Sequence, residues 1–273
     1  MKSNHVYPPL ILRQGGFASI ETQLVNQFAM IEDVPVLTSA LDRLEDHVEL
    51  LASGETLPVG SVEFVRRAMA LAGIEEPANL TYPEPLQRFL LRDVKVQRAG
   101  SVLGTHFVKP LKTKEFTGFV FDSMADPSSL SPHDREQYDA FMLLDADEPV
   151  WVSEPVRWQA EVRYYIAHHA VLGMGRYDDG QDHWALPDER VVEEMVGALA
   201  RLPGTPSGYT LDVGMLDTGE TALVECNDAW AIGYYKGTLS RNDYIKMLWA
   251  RWSQLTTENR NTPPCTLSTP FRI

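Results

Sequence analysis

Cysteine, basic charge and long apolar runs are all scarce in this sequence of 273 residues, and each scarcity excludes a class of protein. Two cysteines, Cys226 and Cys265, are too few and too oddly placed for a disulfide framework or a zinc site. Lys and Arg number 24 against 38 Asp and Glu, a net charge of −14, which argues against a broad footprint on a nucleic-acid backbone. No apolar stretch approaches the roughly 20 residues of a membrane span. Residues 1–9 also lack the apolar run of a secretory signal. The expectation is a cytoplasmic protein with no membrane partner. Its length allows one large domain or two smaller ones, and its oligomeric state is unreadable.

The most informative feature present is a hairpin over residues 209–228. Asp217-Thr218-Gly219-Glu220 reads as the turn, and pairing Leu216 with Thr221 carries the ladder back until Asp212 lies opposite Glu225. Alternation along the strand puts Glu225 and Asn227 on one face and Cys226 on the other. Two carboxylates and an amide oxygen at one point favour a hard cation, and Mg2+ with phosphate oxygens is its natural form. Asp212, Glu225 and Asn227 are therefore the candidate metal ligands. A surface hairpin with solvated acids is the competing reading.

A second feature is a concentration of cations, Arg88, Arg92, Lys95, Arg98, Lys109, Lys112 and Lys114. In an acidic chain this points to one anion held at one place, with a solvated basic surface as the alternative.

Along the chain, the run at Leu10 precedes a helical stretch over residues 18–30 with Ile20, Leu24, Gln27 and Phe28 in spacing. Short apolar runs follow at Val34 and Leu57. Ser61 caps a helix that buries Phe64, Val65, Ala68 and Met69 and stops at Gly73. This reads as a small α/β module over residues 1–86, ending in a linker at residues 80–85 that carries two prolines. Strands are expected around Phe107, Gly118, Val150, Glu161 to Ala167 and Ala170 to Gly175, the last two joined by a turn at His168-His169. Residues 125–139 read as a loop with a short helical turn. Helices are expected from Asp188 to Leu202 and after Ser240, the latter burying Tyr244, Leu248, Trp249 and Trp252. Periodicity ends near Thr256, which makes residues 87–258 the main domain and 259–273 a tail.

Within residues 88–236 a lysine at a strand end, Phe107-Val108-Lys109-Pro110, precedes a strand ending in Glu154-Pro155-Val156. A Glu161-x-Arg163 strand and the Asp212 with Glu225-x-Asn227 hairpin follow. Each element suits ATP: Lys109 and Arg163 for phosphate oxygens, the Glu154 to Val156 backbone for adenine, and a carboxylate there for ribose. The order resembles the ATP-grasp superfamily. With Phe89-Leu90-Leu91-Arg92 and Phe116-Thr117-Gly118-Phe119 it resembles the R2K clade of that superfamily, with Arg92, Arg163 and Lys109 as its paired arginines and lysine. Arg88 and Arg98 compete with Arg92 for that position.

The resemblance implies an α/β ATP-grasp fold of two α+β lobes after a pre-ATP-grasp module. It also implies ATP and Mg2+ as cofactors, and a ligase joining a carboxylate-bearing small molecule or peptide to an amine through an acyl phosphate. Arg92, Lys109, Arg163 and Lys236 are then the catalytic candidates. Lys109, Lys112, Lys114, Glu154, Val156, Glu161 and Arg163 are the nucleotide-binding ones. Residues 111–118 depart from a glycine-rich phosphate loop, with one glycine and two lysines, so side-chain charge takes over from backbone amides. The rival readings are a kinase or nucleic-acid end-modifying ligase on the same clamp, and a nucleotide-binding module without catalysis.

Overall fold

The computed structural model describes residues 6–112, 116–178 and 186–261. The N-terminal module alternates β1 (Leu10–Gln14), α1 (Ile20–Glu32), β2 (Val36–Ser39), α2 (Val48–Ala52), β3 (Thr56–Val59) and α3 (Val62–Leu71). Its strands form a parallel sheet in the order β2-β1-β3. The central strand holds Ile11 and Leu12 at 0% exposure, as a strand covered on both faces requires. Ser19 begins α1 with a capping box to Thr22, and Ser61 begins α3 by accepting from Phe64 N–H at 3.2 Å. The buried stripe of α1 is Thr22, Val25, Phe28 and Ala29. Ile20 and Gln27 face solvent instead, because Val25 and Ala29 complete a tighter i, i+3, i+4 contact face around Phe28.

A small antiparallel lobe follows, built from β4 (Val94–Arg98), β5 (Thr105–Pro110), β6 (Phe119–Asp122), α4 (Pro132–Met142) and β7 (Pro149–Ser153). The strand order is β4-β7-β5-β6. Its core is aromatic, with Phe116, Phe119 and Phe121 against Phe141 of α4. Most of α4 falls where a loop is expected. Ser131 accepts from Asp134 N–H at 3.1 Å and Pro132 occupies the first helical position, so a capped start and a buried Phe141 outweigh the polar composition.

The second lobe contains β8 (Trp158–Ala167), β9 (Ala170–Arg176), α5 (Glu189–Leu199), β10 (Gly208–Leu216), β11 (Thr221–Asp228) and α6 (Arg241–Asn261). Its antiparallel order is β11-β10-β8-β9. His168 and His169 make the β8–β9 turn with φ of 48° and 62°, the left-handed pair of a two-residue hairpin loop. One face of this sheet packs on α5 through Tyr164, Val213, Leu223 and Cys226. The other face carries Tyr165 into a core shared by α6 and the N-terminal module. Asp188 stands outside α5 as its cap, and the helix stops at Leu199, short of the expected Leu202. α6 runs past Thr256, burying Trp252 and Leu255 against the module, while Trp249 is only half-buried. Tail residues 262–273 lie outside the described residues.

Residues 80–85 are more than a linker. The Cys226 N–H donates to the Thr81 carbonyl at 2.8 Å, so this segment covers the outer edge of β11, and Tyr82 is buried against Trp151. At the opposite edge, residues 233–238 form a strap on β9, closed by a Gly175–Gly237 bridge and by Thr238 N–H donating to the Met174 carbonyl at 2.8 Å. A side chain on Gly237 would strike the Met174 carbonyl, and one on Gly175 would strike that of Tyr235. Gly237→Ala is therefore expected to destabilise the protein by about 1–3 kcal/mol in urea unfolding. An unchanged midpoint would contradict that close packing.

Candidate functional site

The hairpin that carries the candidate metal ligands reaches its pairing by an irregular route. Leu216 N–H donates to the Glu220 carbonyl at 2.9 Å, and Met215 pairs with Thr221, so the turn closes one residue earlier than the sequence suggests. Continued without interruption, that ladder would set Val224 opposite Asp212. It would turn Glu225 and Asn227 toward α5, since a one-residue slip reverses every side chain. A bulge at Val224 intervenes: Val213 pairs with Leu223, but Asp212 pairs with Glu225 and Thr210 with Asn227. Leu223 and Cys226, three residues apart, consequently share the α5 face, while Glu225 and Asn227 join Asp212 on the other.

Arg163 lies directly across from Asp212 on β8. Its Nε and Nη2 donate to the two carboxylate oxygens at 2.7 Å each, a buried bidentate pair. Burial opposes the Arg163 charge, but the two hydrogen bonds and the carboxylate charge outweigh it and raise the guanidinium pKa. Lys109, at the end of β5, crosses from the small lobe to form an ion pair with Glu225. Burial pushes its ammonium down to about 8; Asp212 opposes this, and the positive charges of Arg163 and Arg92 add to it. Asn227 Nδ2 donates to Glu225 at 3.0 Å and to Asp212 at 3.3 Å.

The two carboxylates are thus balanced by side-chain cations. Among the described residues no cluster of three or more His, Cys, Asp or Glu is arranged to hold a metal ion. The donor set that does converge, two carboxylates and an amide, is all-oxygen once the amide turns its carbonyl inward, and fits a hard cation that keeps several other ligands.

Between the lobes is a cleft of about 310 Å3 lined on one side by Phe107, Lys109, Phe119 and Ser153, and on the other by Val224 and Glu225. Glu154 and Val156 line it where the chain passes from β7 to β8. Arg92 lines it too, whereas Arg88 and Arg98 pair with Glu194 and Asp147 on the surface. The Arg92 guanidinium donates to the carbonyls of Leu90, Leu223 and Val224 at 3.0, 2.8 and 3.1 Å.

Other candidates are placed differently. Lys112 is not among the residues lining the cleft; its ammonium reaches Glu148 at 2.5 Å. Lys114 lies outside the described residues. Glu161 shares the Arg163 face but accepts from the Tyr177 hydroxyl at 2.9 Å. Burial raises its pKa, Tyr177 opposes this, and Asp212 and Asp178 add to the rise. Lys236 is exposed on the strap beside β9.

The strap also carries Tyr234 and Tyr235, which with Trp230 form an aromatic group after the hairpin, expected from the sequence either to meet substrate or to pack in the core. Tyr235 and Tyr177 stack at 5.1 Å, and Arg163 lies 4.9 Å from the Tyr235 ring centre. Tyr235 N–H donates to the Tyr165 hydroxyl at 2.7 Å, and Tyr234 N–H donates to Glu21 of α1 at 2.8 Å. Of the three aromatics after the hairpin, Trp230 and Tyr234 pack on the core and Tyr235 covers Arg163. Asp228 is held by Arg251 at 2.8 and 2.6 Å, anchoring the end of β11 to α6. Period-2 alternation marks Tyr165 as a neighbour of Arg163; nothing local marks Tyr177 or Glu21.

Among described residues no helix is long and apolar enough to cross a membrane. Among curated proteins none matches the chain. One similar solved structure is N5-carboxyaminoimidazole synthase from Aspergillus clavatus in complex with ADP and 5-aminoimidazole ribonucleotide. It has a TM-score of 0.54 at 13% identity, covering 91% of this chain and 80% of that one. Another is a RimK domain ATP-grasp protein from Sphaerobacter thermophilus, with a TM-score of 0.50 at 14% identity, covering 89% and 98%. At such identity the likeness shows a shared fold, here an α/β ATP-grasp fold. Residues 54–255 match the model of an ATP-grasp domain, R2K clade family 3. That match runs from just before β3 into α6, and the chain belongs to this family.

Proposed function

We propose that the protein is an ATP- and Mg2+-dependent ligase that joins a carboxylate to an amine. The observation that carries this reading is the cleft between the two lobes, with an open backbone segment at Glu154 to Val156 and the Lys109–Glu225 ion pair in one lining. Membership of the ATP-grasp family supports it. The segment at 154–156 would receive the adenine edge, and the exposed Glu154 carboxylate the ribose hydroxyls. Lys109 would leave Glu225 for phosphate oxygens. Arg163 has Nε and Nη2 committed to Asp212, which leaves Nη1 for the γ-phosphoryl. Asp212, Glu225 and Asn227 would hold magnesium, which offsets phosphate charge when bound.

In the reaction a substrate carboxylate oxygen attacks the γ-phosphorus, the bond to the bridging oxygen breaks, and ADP leaves. The amine nitrogen then attacks the acyl carbon, phosphate departs with its electron pair, and the amine loses a proton. Positioning and fixed charge carry both steps without a protein nucleophile. Lys236 on the strap would meet the acyl phosphate or the incoming carboxylate. The substrates are accordingly a small molecule or peptide with a free carboxylate and an amine acceptor.

Calorimetric titration of ATP with and without Mg2+ tests the site. Wild type should bind more tightly with Mg2+, and Glu225→Ala should lose about tenfold or more of that gain while remaining folded. Equal affinity for the two proteins would remove Glu225 from the site. ADP and phosphate should be the products once both substrates are supplied; AMP would point to adenylylation instead.

The Arg163–Asp212 pair gives a separate expectation. Arg163→Met leaves a buried carboxylate unpaired and should cost about 3–5 kcal/mol in urea unfolding, most of it recovered when Asp212→Leu is added. Simple additivity of the two substitutions would deny the coupling.

A further inference from the structure

We propose that Arg92 is a positioning residue that holds the β11 bulge and so turns Glu225 and Asn227 into the site. The inference deepens the reading of that site as a magnesium-nucleotide centre and rests on it for its nucleotide arm alone.

A bulge leaves carbonyls without ladder partners, and β11 is the edge strand of its sheet, so those carbonyls face outward. Arg92 meets them. Nη1 donates to Leu223 and Nη2 to Val224, the bulged residue and the one before it, while Nη1 also ties back to Leu90. Both Nη1 hydrogens are thereby used on backbone. The guanidinium lies 5.4 Å from the Trp158 ring centre and 5.9 Å from that of Tyr82, which fixes its plane. Just beyond, Thr81 accepts from Cys226 N–H, so both sides of Glu225 on the strand edge are pinned by residues 81–92. A planar fork with several fixed donors suits two adjacent carbonyls; a lysine ammonium on a flexible stem does not.

The alternative is that Arg92 is a phosphate ligand acting as a charge. Arg92→Lys separates the two, and Arg92→Leu provides a neutral control. Two measurements are made on folded protein, with thermal melting as the check of folding. The first is amide hydrogen exchange of residues 211–214 and 222–227 without nucleotide. The second is calorimetric titration of ADP with and without Mg2+.

In both variants the hairpin amides should lose about tenfold or more of their protection. The Mg2+-dependent gain in ADP affinity should fall by about 10- to 100-fold, with metal-free ADP affinity retained. Unchanged exchange in Arg92→Lys would overturn the proposal, as would a loss of metal-free ADP binding in Arg92→Leu that Arg92→Lys restores. If wild type binds no nucleotide, the ligase reading falls, and the exchange measurement alone decides whether Arg92 holds the bulge.

Discussion

The geometry of the site depends on one extra residue in an edge strand. Side chains alternate along β11, so the ladder that begins at Met215 and Thr221 would deliver Glu225 and Asn227 into the apolar layer against α5. Inserting Val224 reverses the parity for the rest of the strand. Everything built on the Asp212 face follows from that reversal, including the approach of Lys109 from the other lobe. The cost is a pair of carbonyls without ladder partners, and Arg92 satisfies them.

Charge within the site is arranged in matched pairs. Asp212 belongs to Arg163 and Glu225 to Lys109, so neither carboxylate is left alone in a partly buried setting. The pairs differ in kind. Arg163 and Asp212 sit on adjacent strands of one sheet and are buried, with ideal bidentate geometry, and form part of the framework. Lys109 and Glu225 come from different lobes and are less deeply buried than Arg163 and Asp212, so this contact is the one an incoming anion can exchange.

The N-terminal module reaches the same place from outside the lobes. Glu21 of α1 accepts from Tyr234, the next residue covers Arg163, and Tyr165 ties the strap to β8 through Gly233 and Tyr235. The glycines at 175 and 237 allow two backbones to touch where side chains would not fit. Module, strap and sheet therefore share one packed core with α6, and the position of the Arg163 guanidinium reflects all of them.

Local patterns in the sequence determined the cap at Ser61, the paired strands around His168-His169, and the order of lysine, arginine and acidic hairpin, because each is set by neighbours a few residues away. The same patterns predict Asp212 opposite Glu225, and the molecule reaches that pairing through a shorter turn and a bulge whose one-residue effects cancel. A cluster of cations in sequence says nothing about which of them meets a surface carboxylate, as Lys112 does at Glu148. The rotation of α1, the packing of α4 through Phe141, the clip made by Arg92 and the coverage of Arg163 by Tyr177 and Tyr235 were decided only by tertiary structure. Each depends on contacts between segments distant in the chain, which hydrophobic period and turn chemistry do not encode.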